Sequence, residues 1–190
     1  MSEIDATFDP FEKHIEIEKA YKILKNTLTG AEDGELFLER KLSESVMFDD
    51  KKMRNATFDI SQGFGLRAVC EERVGFAYSN EISESALLNA SSTAKLAVKS
   101  ETKFSDPPRR SNRKLYSLPE AVSSIPFSVK VELMREIDDY ARALSKKVIQ
   151  VSISIGYSNQ DIMILKPEDL LYKDSRPMAR FFVSLILENN

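Results

Sequence analysis

From Ile149 to Tyr157 the chain alternates: Ile149, Val151, Ile153, Ile155 and Tyr157 stand at one parity, Gln150, Ser152 and Ser154 at the other. A period of two sends the first set to one face of a β-strand and the second to the opposite face, so this segment calls for a sheet with one buried and one polar side. Six further runs have strand character: Glu35–Glu39, Ser45–Met53, Leu66–Cys70, Val74–Tyr78, Ile162–Leu165 and Ala179–Leu187. Glu71, Glu72 and Arg73 separate two of them by a length that suits a tight hairpin. Pro167, Asp169 and Pro177 mark a loop before the last run.

Helical spacing occupies the rest. Phe11–Leu28 carries Ile15, Lys19, Tyr21, Ile23, Leu24 and Leu28 at an imperfect helical period, and Gly30 stops it. Ser83 is placed to cap a helix in which Ala86, Leu87, Ala90, Ala94 and Ala97 recur on one side. Ser128–Ser145 presents Val129, Leu133, Ile137, Tyr140, Ala141 and Leu144 as one apolar stripe, with Glu132, Arg135, Glu136 and Arg142 expected toward water. Between Ser100 and Pro119 the two prolines and the polar residues around them predict an exposed loop. Strands that follow one another, instead of alternating with helices, predict an α+β fold. The expected form is an antiparallel or mixed sheet of about seven strands with helices packed on one face, in the order α-ββββ-αα-βββ.

A chain of 190 residues is the size of one domain and buries about 70% of its unfolded surface. Its net charge of −3 supplies no broad positive field for a phosphate backbone, so nucleic acid is not an expected partner. Met1–Asp9 holds three acidic residues and no basic one, the reverse of a secretory leader. No apolar run is long enough to span a bilayer. With a single cysteine, Cys70, no intrachain disulfide forms, and a cytoplasmic location without membrane association is expected.

Candidate chemistry is sparse. Zinc is held mainly by Cys and His, and a catalytic site uses three protein ligands with an open position. Cys70 and His14 stand alone, so no catalytic and no metal-ligating residue is assigned to this chain. Glu71 and Glu72 put negative charge beside Cys70, which makes it a poor candidate nucleophile. Gly63-Phe64-Gly65 enters a strand with no helix after it, so a phosphate cradle is not formed; the glycines fit a bulge or a close backbone approach. Arg109, Arg110, Arg113 and Lys114 read as a solvated basic loop, with docking of an acidic partner as the alternative.

The stretch Asp59-Ile60-Ser61-Gln62-Gly63-Phe64-Gly65-Leu66-Arg67-Ala68, then Gly75-Phe76-Ala77-Tyr78-Ser79, Ile82-Ser83 and Ala86-Leu87, resembles the amino-terminal domain of the TldD/PmbA family of zinc metalloproteases. Gly34–Glu39, Glu44-Ser45, Arg176-Pro177 and Arg180 are similar to the TldD branch. The resemblance implies a single amino-terminal domain over residues 1–190, with Gln62, Gly63, Gly65, Arg67, Gly75, Phe76 and Tyr78 as motif residues of structure or of the substrate cavity. It further implies pairing with a PmbA-like or TldD-like subunit and a peptide or unfolded protein as substrate. Zinc in that family is held by a His-Glu-x-x-x-His helix and a later cysteine in the carboxy-terminal half, and neither occurs here. The expected role is non-catalytic: cavity walls and dimer contacts for proteolysis. The rival expectation is a free-standing binding or regulatory module that docks on a protease subunit or another partner. The ending at Glu188-Asn189-Asn190, where the family continues, is expected of a truncated chain, a split gene product or a degraded reading frame.

Overall fold

Asp50 and Lys51 both adopt left-handed backbone, with φ of 48° and 64°. Two positive φ values in a two-residue loop are what a hairpin turn matched to strand twist requires. In the computed structural model of the protein, which describes residues 8–97 and 125–189, this turn joins two long strands, β1 (Asp33–Asp49) and β2 (Lys52–Cys70). A second tight turn, with Glu71 at φ 55°, leads into β3 (Arg73–Ser79); the expected hairpin is there, but Arg73 belongs to the strand, paired with Cys70, and not to the loop.

Helix α1 (Pro10–Lys13) and helix α2 (Ile17–Thr27) precede the strands; α3 (Glu84–Ala94), a 3₁₀ turn (Lys95–Ala97) and α4 (Phe127–Leu144) follow them, and β4 (Val148–Lys166) and β5 (Leu170–Leu187) complete the described chain. The five strands form an antiparallel sheet in the order β3-β2-β1-β4-β5, so the protein is α+β. The expected seven strands and the order α-ββββ-αα-βββ are corrected. Glu35–Glu39 and Ser45–Met53 belong largely to one strand, because the polar break at Lys41–Ser45 stays within β1. Ile149–Tyr157 and Ile162–Leu165 are likewise both within β4. Pro177 lies inside β5, where an outermost strand tolerates a residue without an N–H. The expected loop at residues 100–120 and the basic cluster Arg109–Lys114 lie outside the described residues.

The first predicted helix is two. Asp9 caps α1, its Oδ1 accepting from the backbone N–H of Phe11 (3.1 Å) and Glu12 (3.3 Å), with Pro10 in the first turn. The turn ends at His14, and Ile15 is buried before α2 starts. Ser83 caps α3 as its position predicted, accepting from the Ala86 N–H at 3.2 Å.

The chain divides into two compact units, one of Met1–Arg40, Ser61–Leu115 and Asp161–Asp174, the other of Lys41–Ile60, Tyr116–Gln160 and Ser175–Asn190. Strands β1, β2, β4 and β5 each give one stretch to either unit. In the first unit, Leu24 and Leu28 from the α2 segment, Leu36 and Leu38 of β1, Leu66 and Ala68 of β2, Leu87 and Ala90 of α3, and Leu165 of β4 share one core. Full burial of each leucine stabilises by about 1.5–3 kcal/mol. Thr27 Oγ1 and Ser91 Oγ, 2.7 Å apart, tie α2 to α3, and Thr27 also donates to the Ile23 carbonyl, so the buried hydroxyls are satisfied.

The second unit has its own core of Val46, Phe48, Met134, Ala141, Val148, Val151 and Ile153. Here the predicted stripe of α4 is corrected. Ile137 and Ala141 do pack inward, but Val129, Leu133, Tyr140 and Leu144 face outward, while Lys130 and Asp138 are buried. Lys130 Nζ reaches both carboxylate oxygens of Glu44 on β1, at 2.8 and 2.6 Å. Asp138 accepts from Arg142 Nε at 2.8 Å, and Arg142 also pairs with Asp50. These ion pairs share the inward face with Met134, Ile137 and Ala141. The alternation in β4 holds for Val151, Ile153, Ile155 and Tyr157; Ile149 is exposed at the strand start.

Candidate functional site

Period-two geometry on three adjacent strands of the first unit builds the site. The core side takes Leu36 and Leu38 of β1 and Phe64, Leu66 and Ala68 of β2. The opposite side therefore takes Glu35, Phe37 and Glu39 from β1, Gly63, Gly65 and Arg67 from β2, and Phe76 and Tyr78 from β3. The register fixes the match: Gly65 stands across from Tyr78 and Arg67 across from Phe76. These residues line a cleft of about 430 Å³, with Ser61, Gln62, Ser79 and Asn80 at its end. That volume lies within the range of small-ligand sites, about 300–1,000 Å³.

The glycines make the cleft. A Cβ on Gly65 would sit 3.1 Å from the Phe76 ring, and one on Gly63 would sit 2.6 Å from the Ser79 carbonyl oxygen. Both are close approaches of the kind expected from the sequence, though inside β2 and not at a strand start. The Phe76 and Tyr78 rings are 6.1 Å apart, tilted by 30°.

A closed charge network underlies one side. Arg67 donates to Asp33 (Nη2–Oδ2, 3.1 Å) and Glu35 (Nε–Oε1, 3.2 Å), and Lys166 donates to Asp33 (3.0 Å), pairs with Glu35 (2.9 Å) and donates to the Gly34 carbonyl (3.2 Å). Two carboxylates thus meet two cations. Burial works against the Asp33 carboxylate, but the Lys166 hydrogen bond and charge, the Gly34 N–H and Arg67 outweigh it and hold this carboxyl below the usual range. Gly34 admits no side chain, since a Cβ would meet Leu28 Cδ2 at 2.2 Å and the Arg67 carbonyl oxygen at 2.5 Å.

Of the seven motif residues, Gln62, Gly63, Gly65, Arg67, Phe76 and Tyr78 line this one cleft. Gly75 does not; it is buried in β3 opposite Ala68. Glu35, Phe37 and Glu39 were not singled out as site residues, although their alternation with Leu36 and Leu38 was the available signal. Ser79 and Asn80 join only because β3 folds back onto β2.

The lining carries hydroxyls, carboxylates and aromatic rings. Cys70 is fully buried at the end of β2, and His14 is exposed after α1. Among the described residues no group of three or more His, Cys, Asp or Glu is arranged to hold a metal ion, so the donors do not fit the zinc that the resemblance implies. Also among the described residues, no helix is long and apolar enough to cross a membrane.

Residues 34–100 match the family model for PmbA/TldA metallopeptidase domain 1, and residues 120–190 match that for the PmbA/TldA metallopeptidase central domain. The TldD homologue of Buchnera aphidicola subsp. Schizaphis graminum, a metalloprotease, is 27% identical over 157 residues, which is 82% of this chain and 32% of that protein. The Haemophilus influenzae TldD homologue is 27% identical over 165 residues, 82% of this chain and 33% of its own length. The chain therefore spans about a third of these relatives. Among solved structures, a Bacteroides thetaiotaomicron protein described as a candidate modulator of DNA gyrase superposes with a TM-score of 0.66 at 15% identity, over 90% of this chain and 41% of that one. TldE from Thermococcus kodakarensis gives 0.52 at 13% identity, over 90% and 43%. These two likenesses concern the fold. The two domain matches, which together take in well over half of the residues, and the TldD relatives carry the assignment: this chain belongs to the TldD/PmbA family of metallopeptidases, as its amino-terminal part.

Proposed function

We propose that the chain serves a TldD-like metallopeptidase subunit without supplying catalytic donors, and that the β1-β2-β3 cleft is a wall of the cavity in which a peptide lies. The observation that carries this is the convergence of Gln62, Gly63, Gly65, Arg67, Phe76 and Tyr78 on one open concavity with no nucleophile–base pair in its lining. Strand β3 is an outer strand of the sheet, so an extended peptide has main-chain groups to pair with beside rings to pack on. The residues here bind and orient; the zinc of the family, its bound water and the proton transfers belong to residues outside these 190.

The proposed dimer contacts lie in the second unit. Helix α4 turns Val129, Leu133, Tyr140 and Leu144 to solvent, and in β5 Phe181, Phe182, Leu185, Ile186 and Leu187 are all exposed. Exposed apolar groups on this scale mark protein interfaces. A PmbA-like or TldD-like subunit in the cytoplasm is the partner proposed.

Two measurements test this reading. Co-expression with a PmbA-like chain and with the carboxy-terminal half of a TldD-like chain is expected to give a complex that copurifies; capture of an unrelated protein instead would favour a free-standing regulatory module. Amide exchange with a bound peptide is expected to protect residues 61–67 and 76–80, and protection confined to α2 and α3 overturns the cleft assignment.

A further inference from the structure

Glu35 and Asp33 are matched by Arg67 and Lys166, leaving that corner of the cleft electrically balanced. Glu39 is different. It lies on the same face of β1, half-buried in the lining, and its carboxylate has no ion-pair partner among the described residues. Phe37, Phe76 and Tyr78 line the same cleft, the last two 57% and 75% exposed and so accessible to a ligand. Arg67 directs its Nε to Glu35 and its Nη2 to Asp33, and makes no ion pair with Glu39.

An aliphatic occupant of this concavity would strip water from the Glu39 carboxylate and offer nothing in return, and an acidic one would repel it. A cation gains twice, from the carboxylate and from the π faces. We infer that the cleft takes the ammonium of a lysine or the guanidinium of an arginine side chain from an extended peptide, with Glu39 as the residue that selects it. The inference deepens the peptide reading above and rests on it.

Fluorescence anisotropy with the 190-residue chain and four capped peptides, differing only in a central Lys, Arg, norleucine or Glu, tests it. Lys and Arg are expected to bind about tenfold tighter than norleucine at low salt, as a charge-assisted contact gives, with Glu weakest. The margin shrinks as salt rises. Glu39→Gln is expected to bring the Lys peptide down to the norleucine level, and Glu39→Lys to put the Glu peptide first. The wild-type series stands as a test even if a variant fails to fold, which thermal unfolding of each variant reports. Equal binding of Lys and norleucine peptides overturns the cation selection and leaves peptide binding intact. Titration with n-butylguanidinium, followed by amide shifts of Phe76 and Tyr78, separates the remaining cases. Shifts with no peptide binding keep the cation site and sink the peptide reading, whereas neither response overturns both.

Discussion

In the first unit Leu24, Leu28, Leu36, Leu38 and Leu66 are each 1% exposed or less; in the second Leu133, Leu144, Leu185 and Leu187 lie between 43% and 65%. The same residue type has opposite fates in one chain. The first unit has two helices, α2 and α3, with apolar faces in a common core with β1 and β2, so these five leucines find partners within the unit, while Leu88, Leu96 and Leu170 of the same unit stay 44–71% exposed. The second has one long helix, and that helix spends its inward face on Lys130, Met134, Asp138 and Ala141. Charge pairing to Glu44 and Asp50 orients the helix, and its apolar stripe is left for something else. The first unit thus gathers these leucines in one core beside an open cleft; the second buries charged pairs and leaves much of the apolar stripe of its helix exposed.

The sharpest way to break that contrast is Lys130→Met. It strands the Glu44 carboxylate where the partner side chains are only 5% and 14% exposed. Removing one member of a buried pair is expected to cost about 3–5 kcal/mol, read as a fall in the urea midpoint. Replacing Glu44 by Met as well is expected to recover most of it; no recovery would mean that Lys130 acts through packing alone.

Leu24→Ala comes next. In a closed core it is expected to cost about 2–5 kcal/mol by the same assay, since the cavity does not fully collapse. A loss below that range would show the first unit to be loosely packed and would weaken the comparison.

Acid is expected to act on both units. Asp33 in the first and Asp49 in the second have carboxyls held below their ordinary range, Asp49 chiefly by the Ser152 hydroxyl (2.5 Å) and the Gln150 amide (2.9 Å). The unfolded chain then binds its protons at higher pH than the folded one. Stability is whole above the ordinary carboxyl range and is lost as pH falls through it toward the lower folded values. Urea midpoints measured from pH 6 down to pH 3 are expected to fall, and Asp33→Asn and Asp49→Asn each to flatten the slope.

The smallest effect on stability is expected from Leu133→Ser on the outward face of α4: a change within about 0.5 kcal/mol, as for most surface sites. Its consequence is expected in association, as weaker copurification with a partner subunit. A loss of stability comparable to Leu24→Ala would show that the stripe is internally packed after all.

Much of this organisation was legible in the residues. Leu36 and Leu38 alternating with Phe37 and Glu39 already separate core from cleft, because side-chain direction in a strand depends only on parity. Ser83 could be read as a cap, and Glu71–Arg73 as a hairpin, because both act over three or four residues. The extent of β2 was not legible: residues 52–60 are exposed throughout, so no apolar pattern announces them, and strand pairing alone keeps them extended. The partners of Lys130 and Arg67 were equally hidden, being 86 and about 30 positions away in sequence.

What the amino-acid order determined by itself was local: the strand faces, the caps and turns, the shortage of Cys and His donors, and the motif that belongs to the TldD/PmbA family. Tertiary structure decided the rest. It placed Glu35, Phe37 and Glu39 beside Gly65 and Phe76, and it turned α4 by pairing a lysine with a distant glutamate. Periodicity reports how a segment divides its side chains between two sides, but the side that turns inward is set by the free energy of burying charges against one another, which depends on residues far along the chain.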